Sequence, residues 1–288
     1  MDIVGSIAVQ IFYMIAILAL ISSGLAIIFG MMRVINLAHG EFLMLGAYAV
    51  VVATNAGVNI WISMFIIAPI FVGIVGVIVE RLVIRFLYGR MMDTLLATWA
   101  LSLLFIGVMT TIFGNATQSI TAPVGTFSMG DYSESVYRLL IIAFAVVLML
   151  GIYLVLRHTR LGLIARGTMQ NADMASALGI SPQRVYTITF GLGAALTGFA
   201  GAVLAPVSGL LPTMGVTYIA KAFITVIGGG QVIVTGTSSA AVLFGTVNQV
   251  TTILTTPVIG TVALFVVALI LLRALPQGIT GRFFRRGL

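Results

Sequence analysis

Polar and ionisable side chains interrupt an otherwise apolar stretch near the start of the chain. Arg33, Asn36, His39 and Glu41 lie between two hydrophobic runs in GLAIIFGMMRVINLAHGEFLMLGAY, which covers Gly24–Tyr48. Irregular backbone at membrane depth must be buried in protein or line a wet cavity. Ionisable side chains at that depth indicate a pathway or a binding site. The alternative is a cytoplasmic turn that leaves Arg33 and Glu41 in solvent, although the apolar run after Glu41 is short for a full span.

Three of these side chains each fit two roles. The amide of Asn36 suits a bound amide or α-carboxylate, and it equally suits a carbonyl freed at a helix break. His39 fits gating or binding, or a structural hydrogen bond to the same broken backbone. Glu41 begins a helical piece, where a carboxylate gains from the helix dipole. We favour this capping role for Glu41 over contact with a solute.

Further candidates come from later segments. Thr98 and Trp99 fit the lining of a pathway, but a Trp near the end of a span is also a common interfacial anchor. Lys221, the only lysine, either extends to the interface or pairs with an acid such as Glu41. The candidate pathway residues are Asn36, His39, Glu41, Tyr48, Thr98, Trp99 and Lys221.

Composition identifies an integral membrane protein. Of the 288 residues, 60% are hydrophobic and only 7% are charged, whereas soluble domains carry roughly 25% charged residues. The net charge of +7 follows from basic loops between apolar runs, so no nucleic acid partner is implied. The chain has no cysteine, which excludes disulfides and thiolate metal sites. The start of the chain lacks the basic region of a cleaved signal peptide and should remain as the first span.

Apolar runs predict an all-α polytopic protein with about eight transmembrane helices, some broken or re-entrant. A spanning helix needs about 20 apolar residues. From Ala222 to Leu272 no charge appears, and Gly228–Gly230 and Pro257 are the natural breaks. The predicted segments are Ile3–Phe29, the shorter Phe42–Thr54, Trp61–Val79, Thr94–Phe113, Leu139–Leu156, Val185–Pro206, broken helices after Ala222 and a last span at Val258–Leu272.

Arginine placement sets the orientation of these spans. Loops 80–93 and 157–184 and the tail with Arg273, Arg282, Arg285 and Arg286 belong in the cytoplasm. Loop 114–135, with Asp131 and Glu134, belongs outside.

Two interrupted segments echo one another in the two halves of the chain. Gly24 leads to a polar break at Gly40, and Gly198 leads to a break at Pro212 and Gly215, each followed by an apolar segment. Such pairs indicate a central binding site in transporters built from repeats. The alternative is a chance similarity.

Enzyme signatures are missing from the sequence. No G-x-x-x-x-G-K-[ST] loop is present to cradle phosphates. His39-Gly40-Glu41 lacks the paired histidines of a zinc protease helix, and no G-x-S-x-G occurs. We therefore expect no catalytic residue, no metal ligand and no ATP hydrolysis in this chain.

The basic loop 157–184 contains a predicted short helix over 169–179. Thr168 is a plausible N-cap, and Gly179 with Pro182 ends the helix. Met169, Ala172 and Ser176 would share one face. A helix this short does not fold alone, so it docks either on a partner or on this chain's own helices.

Ordered motifs along nearly the whole chain resemble one transporter family. R-V-I-N-L-A-H-G-E within Gly24–Tyr48, A-S-A-L-G-I at 175–180 and L-P-Q-G-I at 275–279 are similar to permease subunits of ABC importers for branched-chain amino acids. L-Y-G-R at 87–90, D-T-L-L-A-T-W at 93–99 and the Gln170-Asn171 pair resemble the sister branch that imports urea and short amides. Gly228–Gly230 departs from the family's usual G-G-x-G-x pattern, which leaves the solute open.

The resemblance implies one transmembrane permease domain over 1–288 in the bacterial inner membrane. A second homologous permease, two cytoplasmic ATPases carrying ATP and Mg, and a periplasmic solute-binding protein would complete the importer, which works by alternating access. The helix at 169–179 would be the coupling helix. Its contact residues would be Gln170, Asn171, Asp173, Met174, Ser176, Leu178 and Gly179. An ion-coupled secondary transporter or channel is the alternative.

Overall fold

A computed structural model describes residues 2–129, 132–230 and 232–283. Side chains are described for 4–127, 134–230 and 232–281. Asp131, Arg285 and Arg286, together with the side chain of Arg282, lie outside the described part. The expectations attached to these residues stay predictions.

The chain is almost wholly helical, as its composition predicts. Asn59, Thr159, Asn171 and Thr256 cap four of the helices with side-chain oxygen atoms. The helices are α1 (Asp2–Met32), α2 (His39–Asn55), α3 (Ile60–Ile62), α4 (Ala68–Leu82), α5 (Met91–Phe113), α6 (Val136–His158), α7 (Arg160–Gln170), α8 (Ala172–Ala177), α9 (Pro182–Leu204), α10 (Met214–Gly229), α11 (Ile233–Leu254), α12 (Pro257–Ala274) and α13 (Gly278–Phe283). A π-helical turn, Ser63–Ile67, joins α3 to α4, and a 3-10 turn, Ile84–Leu87, follows α4.

Fewer helices span a membrane than the eight predicted. Six helical segments of the described chain are long and apolar enough, and α10 with α11 forms a pair bent by 117°. The protein is therefore a polytopic membrane protein with six or seven spans. Two elements account for the difference. α2 has only 17 residues and is almost entirely buried. α10 and α11 form the bent pair, and the sequence predicts a break there at Gly228–Gly230.

The loop 114–135, predicted without regular structure, contains a β-hairpin. Strands β1 (Thr126–Met129) and β2 (Tyr132–Ser135) pair antiparallel, with Thr126 opposite Ser135 and Phe127 opposite Glu134. The prediction overlooked the alternation of polar and apolar residues in Thr126-Phe127-Ser128-Met129, which is typical of a strand.

The chain divides into two compact units. One comprises residues 23–121 and 152–220, and the other comprises 1–22, 122–151 and 221–288. The single domain over 1–288 stays a prediction.

In the unit of residues 23–121 and 152–220, α2 lies against α9 at backbone distance. A methyl group built at Gly46 would lie 2.1 Å from the carbonyl oxygen of Gly198, and one at Gly201 would lie 1.9 Å from that of Leu43. Small residues allow such approach between helices in a membrane. Gly198 and Gly201 therefore let the backbones of α2 and α9 come into contact.

In the other unit, α13 packs on the bend between α10 and α11. The hydroxyl of Thr280 donates to the carbonyl oxygen of Gly229 at 2.6 Å. Gly230 has a φ of +89°, and a methyl group there would lie 2.5 Å from the carbonyl oxygen of Gln277. The glycine-rich segment and the L-P-Q-G-I motif of the sequence therefore form one local structure.

Candidate functional site

The polar stretch after α1 is held by side chains that replace missing helical hydrogen bonds. α1 ends at Met32, and Arg33 adopts a φ of +52°, which non-glycine residues rarely take. Asn36 Oδ1 accepts from the amide of Ala38 at 3.1 Å. Thr98 Oγ1, on α5, accepts from the amide of Leu37 at 3.1 Å. Thr98 thus anchors the break between α1 and α2.

The side chains of this polar stretch differ in how far they are buried. Arg33 is exposed, whereas Asn36, His39 and Glu41 are each 1% exposed. The interpretation of a turn with Glu41 in solvent is therefore wrong. His39 Nδ1 lies 3.4 Å from the hydroxyl of Thr197 on α9, and the choice between a structural and a binding role for His39 stays a prediction.

Glu41 occupies the first turn of α2, as predicted. Its hydrogen bond, however, comes from another helix: the hydroxyl of Ser102 on α5 donates to Oε1 at 2.9 Å. Within the described residues, Glu41 Oε2, Asn36 Nδ2 and the hydroxyl of Tyr48 are buried without a hydrogen-bond partner.

Aromatic contacts fix α2 between α5 and α9. The ring of Phe42 lies 5.9 Å from that of Phe105 on α5 and 6.0 Å from that of Phe190 on α9. The ring of Tyr48 lies 4.7 Å from that of Phe113. The first turn of α2 is therefore enclosed on two sides.

A third element covers this turn. A methyl group built at Gly40 would lie 2.2 Å from the carbonyl oxygen of Gly215, and one at Gly215 would lie 2.5 Å from Glu41 Oε2. The two breaks of the sequence echo thus meet in space. Whether the echo is a repeat stays a prediction.

The remaining pathway candidates lie elsewhere. Trp99 is 55% exposed on α5, which favours the interfacial-anchor interpretation. Lys221 is half-buried and begins the last segment of the other unit. Its pairing with Glu41 stays a prediction.

The predicted coupling helix is broken into two. Asn171, not Thr168, is the N-cap: its Oδ1 accepts from the amide of Met174 at 2.9 Å. Thr168 instead lies inside α7 and donates to the carbonyl oxygen of Ile164 at 2.9 Å. Met169 therefore belongs to a different helix from Ser176, and the shared face that was predicted for them is wrong.

The residues predicted to contact a partner are exposed, and their role in coupling stays a prediction. Gly179 ends the segment with a φ of +82°. Met174 and Leu178 are 59% and 74% exposed, and Ala175 is buried. The predicted contact residues are all exposed, namely Gln170, Asn171, Asp173, Met174, Ser176, Leu178 and Gly179.

A buried carboxylate at the end of α4 was missed by sequence reasoning. Glu80 is fully buried, with Tyr88 donating to Oε1 at 2.8 Å and Thr187 to Oε2 at 2.7 Å. Arg85 Nε lies 3.7 Å from Oε1. Burial and the bond to this carboxylate raise the pKa of the Tyr88 hydroxyl. No local signal identifies the cluster, because Thr187 is 107 residues away.

Among the described residues, no three His, Asp or Glu side chains converge as metal ligands would. The polar groups near Glu41 are hydroxyls, amides and one carboxylate, which suit hydrogen bonding to a small polar molecule.

Comparison with known proteins gives consistent matches. Residues 7–275 match the family described as branched-chain amino acid transport system / permease component. The chain is 26% identical over 280 residues to the high-affinity branched-chain amino acid transport system permease protein LivH of Escherichia coli (strain K12), covering 92% of this chain and 91% of that protein. It is 28% identical over 243 residues to BraD of Pseudomonas aeruginosa, named likewise, covering 79% of each. No solved structure matches the chain.

Proposed function

The chain belongs to the family of branched-chain amino acid transport system permease components, and from this membership we propose that it is the permease subunit of an ATP-driven importer. Its solute is a branched-chain amino acid or, following the motifs of the sister branch, urea or a short amide. It resides in the bacterial inner membrane and moves the solute by alternating access.

The observation that supports this proposal most directly is the exposed surface of residues 172–179. This stretch comprises α8 and the turn that ends at Gly179, and we call it the α8 segment. Met174 and Leu178 present large apolar side chains to solvent on a polar loop outside the candidate spans. A six-residue helix cannot be stable alone, and exposed apolar groups of this kind support a protein contact. Seating α8 in a groove of an ATPase subunit would bury both side chains.

The proposed assembly follows from this role. Two cytoplasmic ATPases, which hold ATP and Mg, bind α8 of this chain and the equivalent helix of a second, homologous permease. A periplasmic binding protein delivers the solute to the side that carries the β-hairpin. A ligand shifts an equilibrium only through differential affinity for its states, so nucleotide acts through the α8 contact and the loaded binding protein through the hairpin loop.

One observation supports a second candidate. Buried Glu41, with an oxygen atom lacking a partner among the described residues, is the kind of group that ion-coupled carriers use. A secondary transporter would need neither ATPase nor binding protein.

The deciding experiment measures ATP hydrolysis by the reconstituted complex, with leucine and with urea, each with its binding protein. We expect one solute to stimulate hydrolysis, and Leu178→Ser to abolish that stimulation. Leu161→Ser is the matched control, since Leu161 is also exposed, at 57%, but lies on α7. Uptake that follows a proton or sodium gradient without any ATPase would overturn the proposal and favour the second candidate.

A further inference from the structure

Within the described part of the chain, two buried polar atoms near the start of α2 lack a hydrogen-bond partner. Glu41 Oε2 and Asn36 Nδ2 are both buried, and neither has a partner among the described residues. Leaving such an atom unpaired costs about 1–3 kcal/mol, more for a charged group. Native proteins hold few of them, and each needs an explanation.

The rest of both side chains is firmly held. Glu41 Oε1 accepts from Ser102, and Asn36 Oδ1 accepts from the amide of Ala38. Each side chain therefore uses one atom to fix its position and keeps the other available. A binding site requires side chains that are held in place by one atom while another atom contacts the ligand, because the contacting groups must be oriented before the ligand arrives.

The two available atoms are chemically complementary to a particular class of solute. Glu41 Oε2 accepts hydrogen bonds, and Asn36 Nδ2 donates them. Both residues lie within one helical turn of the start of α2. A molecule with N–H donors next to a carboxylate or carbonyl oxygen carries a suitable partner for each atom.

Backbone forms part of the cover over Glu41. Gly215, at the start of α10, approaches Glu41 Oε2 and Gly40 so closely that no side chain fits between them. The two glycine backbones meet here without interlocking side chains, next to the buried side chain of Met214.

We propose that Glu41 and Asn36 form a solute site, in which Glu41 Oε2 accepts from an N–H group and Asn36 Nδ2 donates to an oxygen atom of the same molecule. The Gly40–Gly215 contact closes over it. An α-amino acid and urea both carry the required groups. This assignment rests on the proposed importer function. Tyr48 lies about 10 Å further along α2 and is not part of this pair.

The test uses the complete importer in proteoliposomes and measures ATP hydrolysis and solute accumulation together. The labelled probes are leucine and urea, each presented by its binding protein. Glu41→Gln keeps the size of the side chain and removes its charge. We expect the amount of leucine accumulated per ATP to fall about tenfold or more, as loss of one charge-assisted hydrogen bond predicts. Urea, which bears no charge, should lose less, so the two probes separate the two solute classes.

A second variant keeps the test valid if Glu41→Gln does not fold. Asn36→Asp retains the oxygen that accepts from Ala38 and converts only the unpaired donor into an acceptor. We expect it to lower accumulation of leucine per ATP, because a second carboxylate repels the carboxylate of leucine, and thermal denaturation in detergent checks that the variant folds. The control is Asp93→Asn, the reverse exchange of carboxylate for amide, at an exposed residue whose ion pair with Arg90 is also exposed.

The outcomes separate two failures. Wild-type accumulation per ATP with both Glu41→Gln and Asn36→Asp would overturn the site. A wild-type complex whose hydrolysis no loaded binding protein stimulates would overturn the importer function instead. Uptake that requires a proton gradient and is lost in Glu41→Gln would make Glu41 a proton carrier and also overturn the assignment.

Discussion

Gly201 sets the distance between α9 and α2. A methyl group at this position would lie 1.9 Å from the carbonyl oxygen of Leu43, which is backbone and cannot rotate away. Interhelical contact in a membrane depends on this kind of close approach, since lipid tails are as apolar as the side chains. The position of the solute site therefore depends on residues without side chains.

We predict that Gly201→Ala strongly lowers the thermal stability of the purified protein, because α9 must move away from α2. Overpacking of a tight contact typically costs about 1–3 kcal/mol or more. Gly151→Ala is the matched control. Gly151 also lies inside a helix, α6, and a methyl group there meets no atom within 4 Å. Thermal denaturation in detergent measures both variants, and equal melting temperatures would contradict the contact.

At the scale of elements, the Glu80 cluster joins α4, the 3-10 turn after it and the start of α9. Tyr88 and Thr187 both donate to one buried carboxylate, and the rings of Tyr88 and Tyr186 lie 5.0 Å apart. The cluster therefore connects α4 to the start of α9, the helix that follows α8 in the chain.

We predict that Glu80→Ala destabilises the protein by about 2–3 kcal/mol, because it leaves two hydroxyl donors buried without an acceptor. Glu80→Gln should be milder, since its amide oxygen still accepts one of them. Chemical denaturation of the two variants measures the difference. Equal stability of Glu80→Ala and the wild type would show that the Glu80 carboxylate does not stabilise the contact between α4 and α9.

A second carboxylate, Glu134, connects the hairpin to α1 and α6. Ser6 and Gln10 donate to its Oε1 at 2.8 and 3.1 Å, and Arg138 pairs with its Oε2. Burial alone would raise the pKa of Glu134. The hydrogen bonds from Gln10 and Ser6, together with the charge of Arg138, outweigh burial and hold the pKa below the ordinary 4.5.

The lowered pKa predicts a pH dependence of stability with a definite sign. A carboxylate whose pKa is lower in the folded state stabilises the fold above its unfolded pKa. That stabilisation disappears as the pH falls through the folded value. Melting temperatures of the wild type and Glu134→Gln should therefore differ at pH 7 and converge in acid below about pH 4.5. A difference that stays constant across this range would contradict the charge effect.

At the scale of the whole molecule, the prediction concerns the two sides of the membrane. Arginine-rich loops stay in the cytoplasm, which places Leu178 inside and Asn115 outside. Both residues are exposed, and the sequence contains no cysteine that would have to be removed. Leu178→Cys should react with an impermeant thiol reagent in inside-out vesicles, and Asn115→Cys in right-side-out cells. The cysteine-free parent is the control, and labelling of both variants from the same side would refute the orientation.

Local signals in the sequence determined most of the elements. The apolar runs locate the spans within a few residues, because the thickness of the bilayer fixes their length. Gly179 ends the α8 segment as predicted, because its left-handed backbone favours glycine. The predicted N-cap, Thr168, is wrong. Threonine and asparagine both suit an N-cap position, so the sequence does not distinguish Thr168 from Asn171, and only the geometry shows that Asn171 is the cap.

The polar contacts of the candidate site were decided by tertiary structure. Composition showed that Glu41 is unusual in an apolar chain, but not that Ser102, 61 residues away, holds one of its oxygen atoms. Likewise, glycines 40 and 215 appear in the sequence as two separate breaks, and only the fold brings their backbones together over that carboxylate. Hydrophobic length and capping act over a few turns of one helix, so the sequence by itself determines them. The partner of a buried polar atom depends on which helices pack together, and that is settled only when the chain has folded.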